Sequence, residues 1–310
     1  MKKKNIAIIG SNGFIGKHLT EKLTDDGDNA VFLFGKNDAS AFGSSLPYRK
    51  LDANDKEQLI TDFSHIDFIY YLASETIPST SWENPAMDIE KNLLPFITFV
   101  EGIAHLNIKK IIFISSGGTV YGATEKMADE HSFTNPFSPY GIVKLTMEHF
   151  LNYFHVKYGL NFDIYRVSNV YGEGQNTGKG IGMINTFIEK IISEKKIYIF
   201  GDGKNVRNYL YVKDLAELMT TSLHTSTAIS EIYNLSSDFT LNINDIVAIM
   251  KKIIPDPFEV VYKEARQSDN STIHLNNSKI IAANPEFNFT GIEEGILKTY
   301  HHIKGLRSRA

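Results

Sequence analysis

Apolar residues in the first half of the chain gather into short unbroken runs, at residues 6–9, 31–34, 68–72, 111–115 and 162–167, with no polar alternation inside them. Such runs predict strands covered on both faces, as in a parallel sheet. Between them, residues 15–23, 89–105 and 140–158 show the spacing of one-sided helices. Strand and helix in alternation, joined by right-handed crossovers, predict an α/β fold built on a doubly wound (Rossmann) parallel sheet. Beyond about residue 170 the pattern loosens. A glycine-rich stretch at 172–182 precedes a helix at 183–194, short strands near 197–200 and 232–235, and a helix from about 244 to 254. These predict a smaller mixed α/β lobe closing over the carboxyl edge of the sheet, where ligands of open α/β sheets bind. The expected division is a first domain over residues 1–170 and a second over 171–310, with chain crossings between them. No internal repeat or low-complexity tract interrupts it.

With 310 residues, 42% of them apolar and 22% charged, the chain can bury a large core. The net charge is −4, and no basic block exceeds Lys2 to Lys4. A nucleic-acid footprint is therefore not expected. The apolar stretch behind those lysines is too short for a secretory signal, and nothing approaches the roughly 20 apolar residues of a membrane span. There is no cysteine, which excludes disulfides and thiolate metal sites. The expectation is a cytoplasmic protein without a membrane or nucleic-acid partner and without a metal.

Candidate chemistry begins where the first apolar run ends, at Gly10-Ser-Asn12-Gly13-Phe14-Ile15-Gly16. Glycines so spaced, after a strand and opening a helix, permit a tight turn, close approach of backbone to a pyrophosphate and close helix–strand packing. The diphosphate would rest at the positive end of the helix. The signature points to a dinucleotide. At the end of the second strand such sites carry an acidic residue for the ribose hydroxyls. Here Gly35 stands there, followed by Lys36. A missing carboxylate and a nearby cation favour NADP(H), with NAD(H) as the alternative. Asp52, in Leu51-Asp52-Ala53, is a candidate acceptor for the adenine amino group or a turn residue.

Tyr140 and Lys144 lie four apart at the start of a predicted helix, so both side chains share one face. A phenol exchanges protons near neutral pH only if its ordinary pKa of about 10 is lowered, and a nearby ammonium has that effect. Ser115-Ser116-Gly-Gly-Thr119-Val-Tyr-Gly ends the preceding strand and places hydroxyls in reach of the same cleft.

At this point the sequence resembles the extended short-chain dehydrogenase/reductase family, in its group of nucleotide-sugar epimerases, dehydratases and reductases. The resemblance rests on the glycine motif, Tyr71-Leu72-Ala73-Ser74, Asn92, the Ser115–Gly122 segment, the Tyr140/Lys144 pair and Arg166-Val-Ser168-Asn169-Val-Tyr-Gly172. It implies that Tyr140 exchanges a proton with a sugar oxygen while hydride passes between the sugar carbon and the nicotinamide. It also implies that Lys144 lowers the tyrosine pKa and holds the nicotinamide ribose. Cofactor contacts are implied at Gly10, Asn12, Gly13, Phe14, Ile15, Gly16, Lys36, Asp52, Ala53, Leu72, Ala73, Ser74, Asn92, Ser115 and Ser168. The family's usual catalytic Ser or Thr falls on Gly117, so Thr119, or else Ser116 or water, must supply its hydrogen bond. Sugar 4,6-dehydratases carry an Asp-Glu pair where this chain has Gly118 and Thr119, which argues against that reaction.

Substrate contacts implied by the resemblance are Thr76, Thr119, Tyr140, Asn169, Arg207, Arg266 and Asp269. Two substrate phosphates beside a dinucleotide's own require positive charge, and arginine offers a bidentate fork. Tyr198 and Phe200 are candidates to stack on the base, or core aromatics. The leading expectation is an NAD(P)-dependent reductase of a nucleoside-diphosphate 4-keto-6-deoxyhexose. The alternative is a nucleoside-diphosphate-hexose 4-epimerase, and a remote third is a non-catalytic dinucleotide sensor. Apolar residues on the predicted helices (Leu93, Phe96, Val100, Phe150 and Tyr153) suggest a homodimer through a four-helix interface.

Overall fold

The computed structural model describes residues 3–123, 126–178, 182–265 and 273–308. Its chain order opens with β1 (Lys4–Ile9), α1 (Phe14–Asp25), β2 (Asn29–Gly35), β3 (Tyr48–Lys50), α2 (Lys56–Phe63) and β4 (Phe68–Tyr71). Two short helices, α3 (Pro78–Glu83) and α4 (Pro85–Asp88), lead through a π-helical turn at Ile89–Leu93 into α5 (Leu94–Ile103). Then come β5 (Lys110–Ser116), the single turn α6 (Gly117–Val120), α7 (Pro139–Tyr158) and β6 (Phe162–Val167). The rest holds β7 (Asn169–Tyr171), α8 (Met183–Glu194), β8 (Lys196–Phe200), β9 (Val206–Tyr211), α9 (Val212–Met219) and β10 (Glu231–Leu235). It ends with β11 (Thr240–Asn242), α10 (Ile243–Ile253), β12 (Glu259–Lys263), α11 (Ser278–Ala282) and α12 (Ile292–Arg307).

Seven strands form one sheet in the order β10-β6-β5-β4-β1-β2-β3. β1 runs parallel to β2 and β4, β4 to β5, and β2 to β3. That order is the doubly wound Rossmann arrangement with one strand added at the β6 edge. The strand expected near 232–235 is an edge strand of the central sheet, with Tyr233 ending the last stretch of the first unit described below and Asn234 beginning that of the second. Its buried Tyr233 and Leu235 complete the face that β6 would otherwise leave open.

Two compact units result, Met1–Val120 with Thr134–Arg166 and Ala216–Tyr233, and Tyr121–Phe133 with Val167–Leu215 and Asn234–Ala310. Each is assembled from three separate stretches of chain. The core of the first lies between the sheet and α2, α5 and α7. Phe34 stacks on Phe63 at 4.7 Å between ring centres, and Phe96 meets Tyr71 at 5.0 Å and Phe113 at 5.3 Å. Phe96 and Val100 are fully buried in this core, so they are not surplus apolar surface for an interface; Leu93 and Phe150 are partly buried, and Tyr153 is exposed. In the second unit β9 pairs antiparallel with β11 and parallel with β7, β8 pairs with β12, and isoleucines of α8, β8, α10 and α12 fill the core.

Local signals place α7. The Ser138 hydroxyl accepts the Gly141 N–H at 3.1 Å, Pro139 occupies the first turn, and Gly159 closes the helix at φ 71°. Among the described residues no helix is long and apolar enough to cross a membrane, and no group of His, Asp and Glu could hold a metal.

One polar feature lies inside the first core. Lys110 and Asp163, both fully buried on β5 and β6, pair at 3.0 Å, and the Asp163 carboxylate also accepts from the Ser222 hydroxyl at 2.6 Å and the Glu231 N–H at 3.1 Å. The lysine donates again to the Ser226 carbonyl at 2.9 Å. Removing one partner leaves a buried charge uncompensated, which costs about 3–5 kcal/mol. Lys110→Met is therefore expected to lower stability by about that much in urea unfolding, and Lys110→Met with Asp163→Leu by clearly less. A single-variant loss below about 1 kcal/mol would show that the pair carries no such weight.

Candidate active site

The turn after β1 is built by close backbone approach. Gly10 adopts φ 89°, and a Cβ on Gly16 would lie 2.3 Å from the Gly10 carbonyl oxygen and 2.8 Å from the Ser11 Cα. Only glycine lets α1 start this near the strand. Gly13 caps α1 without a side-chain hydrogen bond, so the first amides of the helix keep no side-chain acceptor of their own. These features fit a pyrophosphate at the helix end. Phe14 and Ile15 open the helix, Phe14 meeting the His18 ring edge-on at 5.8 Å. The Asn12 side chain meets the loop after β2. Its amide donates to the Ala39 carbonyl at 2.9 Å and accepts from the Ala41 N–H at 2.7 Å, tying the loop after β2.

At the end of β2 the structure changes the reading of Gly35 and Lys36. A Cβ on Gly35 would lie 2.9 Å from the Tyr48 hydroxyl, which donates to the Asn37 carbonyl at 2.9 Å. Glycine is therefore explained there by the tyrosine across from it, before any ligand is considered. Lys36 is ion-paired with Glu75, and neighbouring Lys50 with Asp38 at 2.8 Å. The cation expected to be available for a 2′-phosphate already has a carboxylate partner. Asp52 is exposed and accepts the Asn54 N–H at 2.9 Å, closing the turn before α2, while Ala53 packs on the core.

Beyond β4, Leu72, Ala73 and Ser74 border the glycine turn, with the Ala73 amide against Gly10. The next loop is held by a buried polar cluster. The Thr76 hydroxyl donates to Asp88, and the Asn92 amide donates to the Thr76 hydroxyl at 2.7 Å and to Asp88 at 3.1 Å while accepting the Glu75 N–H at 2.8 Å. Thr76 is buried, with its hydroxyl donating to Asp88, and Asn92, on the π-helical turn, holds this loop through its amide.

At the end of β5, Ser115 is buried and donates to Glu148. Ser116 is half-buried at the strand end, and the Thr119 hydroxyl donates to the Ser116 carbonyl at 3.3 Å within α6. Tyr140, Lys144 and Glu148 follow at four-residue spacing along α7, where they share one face. The Lys144 Nζ donates to the Ile114 carbonyl at 3.0 Å and stands 4.9 Å from the Phe113 ring centre and 5.7 Å from that of Tyr140. Glu148 takes a three-point contact from Arg166, at 2.7 Å from Nη2 and 3.2 Å twice from Nε.

Burial brings the Lys144 amine down to about 8, against the pull of Asp88 and Glu148, which favour the charged form. Tyr140 moves opposite to the direction expected from the sequence. Burial pushes its phenol up to about 12, the Ser74 hydroxyl holds it down in part, and the Asp88 charge adds to the rise. Burial outweighs the Ser74 hydroxyl, so the phenol stands above its ordinary value.

In the second unit, Ser168 binds the Leu235 carbonyl through its N–H at 2.9 Å, Asn169 donates to the Asn208 carbonyl at 3.2 Å, and Arg207 donates to the Val206 carbonyl at 2.8 Å. Arg266 and Asp269 lie outside the described residues. Tyr198 is half-buried with the Lys263 and Lys190 ammonium groups over its ring at 4.2 and 5.1 Å, and Phe200 is half-buried as well. Asp88, Glu148 and the Lys36–Glu75 pair were missed in the sequence. Glu148 had a signal, since it extends the 140/144 spacing by one turn; Asp88 had none.

Residues 6–236 match the NAD dependent epimerase/dehydratase family. A putative UDP-glucose 4-epimerase of Methanocaldococcus jannaschii is 30% identical over 96% of this chain and 98% of its own. A dTDP-4-dehydro-6-deoxyglucose reductase of Escherichia coli is 28% identical over 90% of this chain and 89% of its own. Among solved structures, the UDP-glucose 4-epimerase of Thermotoga maritima, determined with UDP-glucose, superposes with a TM-score of 0.89 at 28% identity over 98% of this chain and 99% of that one.

The ion pair at Lys36 generates a test. A charge-assisted contact to a 2′-phosphate is worth about 1.5–3 kcal/mol, so losing one costs roughly tenfold or more in affinity. Because Lys36 is engaged by Glu75, Lys36→Ala is expected to change the ratio of NADPH to NADH affinity by less than about threefold in fluorescence titration. A selective loss of NADPH binding of tenfold or more would restore the original assignment.

Proposed function

The chain belongs to the NAD dependent epimerase/dehydratase family, and from that premise we propose that it is a nucleoside-diphosphate-hexose 4-epimerase using NAD(H). The carrying observation is the pairing of the Tyr140 ring with the buried Lys144 ammonium in the unit that also builds the glycine turn. Bound at that turn, the dinucleotide supplies a hydride acceptor and donor for the sugar C4. The Tyr140 oxygen removes the proton of the sugar hydroxyl and returns it. Lys144 supplies positive charge beside the phenol and a donor toward the nicotinamide ribose. Ser74, already beside the phenol, and Thr119 are the hydroxyls available in place of the one absent at Gly117. Asn169, Arg207 and Arg266 are proposed to hold the nucleotide diphosphate, and Asp269 the nucleotide ribose.

The reductase reading came first in the sequence because Gly35 and Lys36 pointed to NADPH. Tyr48 over Gly35 and Glu75 on Lys36 remove most of that support. The similarity to UDP-glucose 4-epimerases at both sequence and fold level then favours a cofactor reoxidised within each cycle. The reductase remains the second reading, supported by the similarity to the Escherichia coli enzyme. A homodimer is part of the proposal, through α7, whose Ile142, Tyr153 and Val156 are exposed along one stripe, and Leu94 of α5.

The purified protein is expected to retain NAD and to interconvert UDP-hexoses differing at C4 with no net change in nicotinamide absorbance. Tyr140→Phe is expected to lower kcat by about 10²–10⁴-fold with NAD affinity kept. Net NADPH consumption on a nucleoside-diphosphate 4-keto sugar, without epimerisation, would establish the second reading instead. A monomer in sedimentation would remove the dimer.

A further inference from the structure

The first unit buries four formal charges around α7: Lys144, Arg166, Asp88 and Glu148, each no more than 5% exposed. Taking charge out of water is tolerated where opposite charges balance it. Glu148 is matched by Arg166, which grips both carboxylate oxygens, and by the Ser115 hydroxyl. Lys144 has a carbonyl oxygen and an aromatic face as direct contacts, neither carrying a formal charge. The remaining buried carboxylate is Asp88, at the end of α4, which packs against α7. One of its oxygens takes hydrogen bonds from Thr76 and Asn92; the other has no hydrogen-bond partner among the described residues. A carboxylate so incompletely satisfied is not placed there for its hydrogen bonds, which a neutral amide could accept as well.

We infer that Asp88 is a positioning residue for the Tyr140–Lys144 pair: the buried counter-charge to the Lys144 ammonium, carried on a short helix packed against α7. Of the two carboxylates that favour the charged amine, Asp88 acts more strongly than Glu148, and the same charge raises the Tyr140 phenol. The titratable groups nearest it in the chain order of these elements are Tyr140, Lys144 and Glu148 on one face of α7 and Glu75 on the loop; His149, Tyr153, His155, Lys157 and Tyr158 follow further along α7. Glu83, Glu90 and Lys91 on the flanking turns are exposed. Through Thr76 and Asn92 the same carboxylate fixes the loop that carries Ser74.

The test has two arms, of which only the first rests on the proposed reaction. In the rate arm, Asp88→Asn keeps the shape and removes the charge, so the amine loses its proton at lower pH. The alkaline limb of kcat against pH is expected to fall by about one unit or more. Thr76→Val, which leaves the charge in place, is expected to leave the limb where it is. An unmoved limb in Asp88→Asn, or an equal shift in Thr76→Val, overturns the inference. The second arm needs no substrate. Urea unfolding of Asp88→Asn, Lys144→Met and the double variant forms a cycle. Removing the amine is expected to recover most of the midpoint lost in Asp88→Asn, and a double variant that folds where the single one does not is the same result. Additive losses, or a double variant that folds no better than Asp88→Asn, contradict it whatever the enzyme's substrate proves to be.

Discussion

An ammonium group buried at the end of a sheet dictates the arrangement around it. Lys144 gives up hydration for the Ile114 carbonyl and the face of Phe113, and this is affordable only with negative charge built nearby. We place that charge on Asp88 at the end of α4, since Glu148, one turn beyond Lys144, is balanced by Arg166 of β6. The packing of α7 on the sheet, through Val143, Met147, Leu151 and Phe154 on its apolar side, sets the distance at which these charges meet.

Desolvation has a second consequence. The environment that makes the lysine easier to deprotonate makes the tyrosine harder to, since both lose the solvent that stabilises their charged forms. The glycine turn belongs to the same unit as this pair. At the other end of the glycine turn, the Tyr48 hydroxyl lies over Gly35 and Lys36 pairs with Glu75 at the surface.

Much of the fold was legible because burial on both faces of a parallel strand leaves an unbroken apolar run, and because helices such as α7 announce themselves by the spacing of their apolar residues. The glycine turn and the 140/144 spacing were legible for the same reason: each is local. What escaped depends on residues far apart in sequence. Lys110 and Asp163 look like isolated charges in two strands until β5 and β6 lie side by side. The partner of Lys36 is 39 residues away, and the strand at Glu231–Leu235 finds its place in the central sheet only through tertiary pairing. Hydroxyls were the least legible, since Ser115 and Thr76 turn toward buried carboxylates that no spacing rule connects to them.

The most direct measurement is a difference-absorbance titration of the Tyr140 phenolate, wild type minus Tyr140→Phe, with saturating oxidised NAD, repeated in a Lys144→Met background. If the phenol and the buried ammonium act as one unit beside the nicotinamide, the phenolate forms below its ordinary pKa of about 10 with NAD present, and loss of the amine moves it back up. A phenolate that titrates at the same pH with and without the lysine would contradict that pairing.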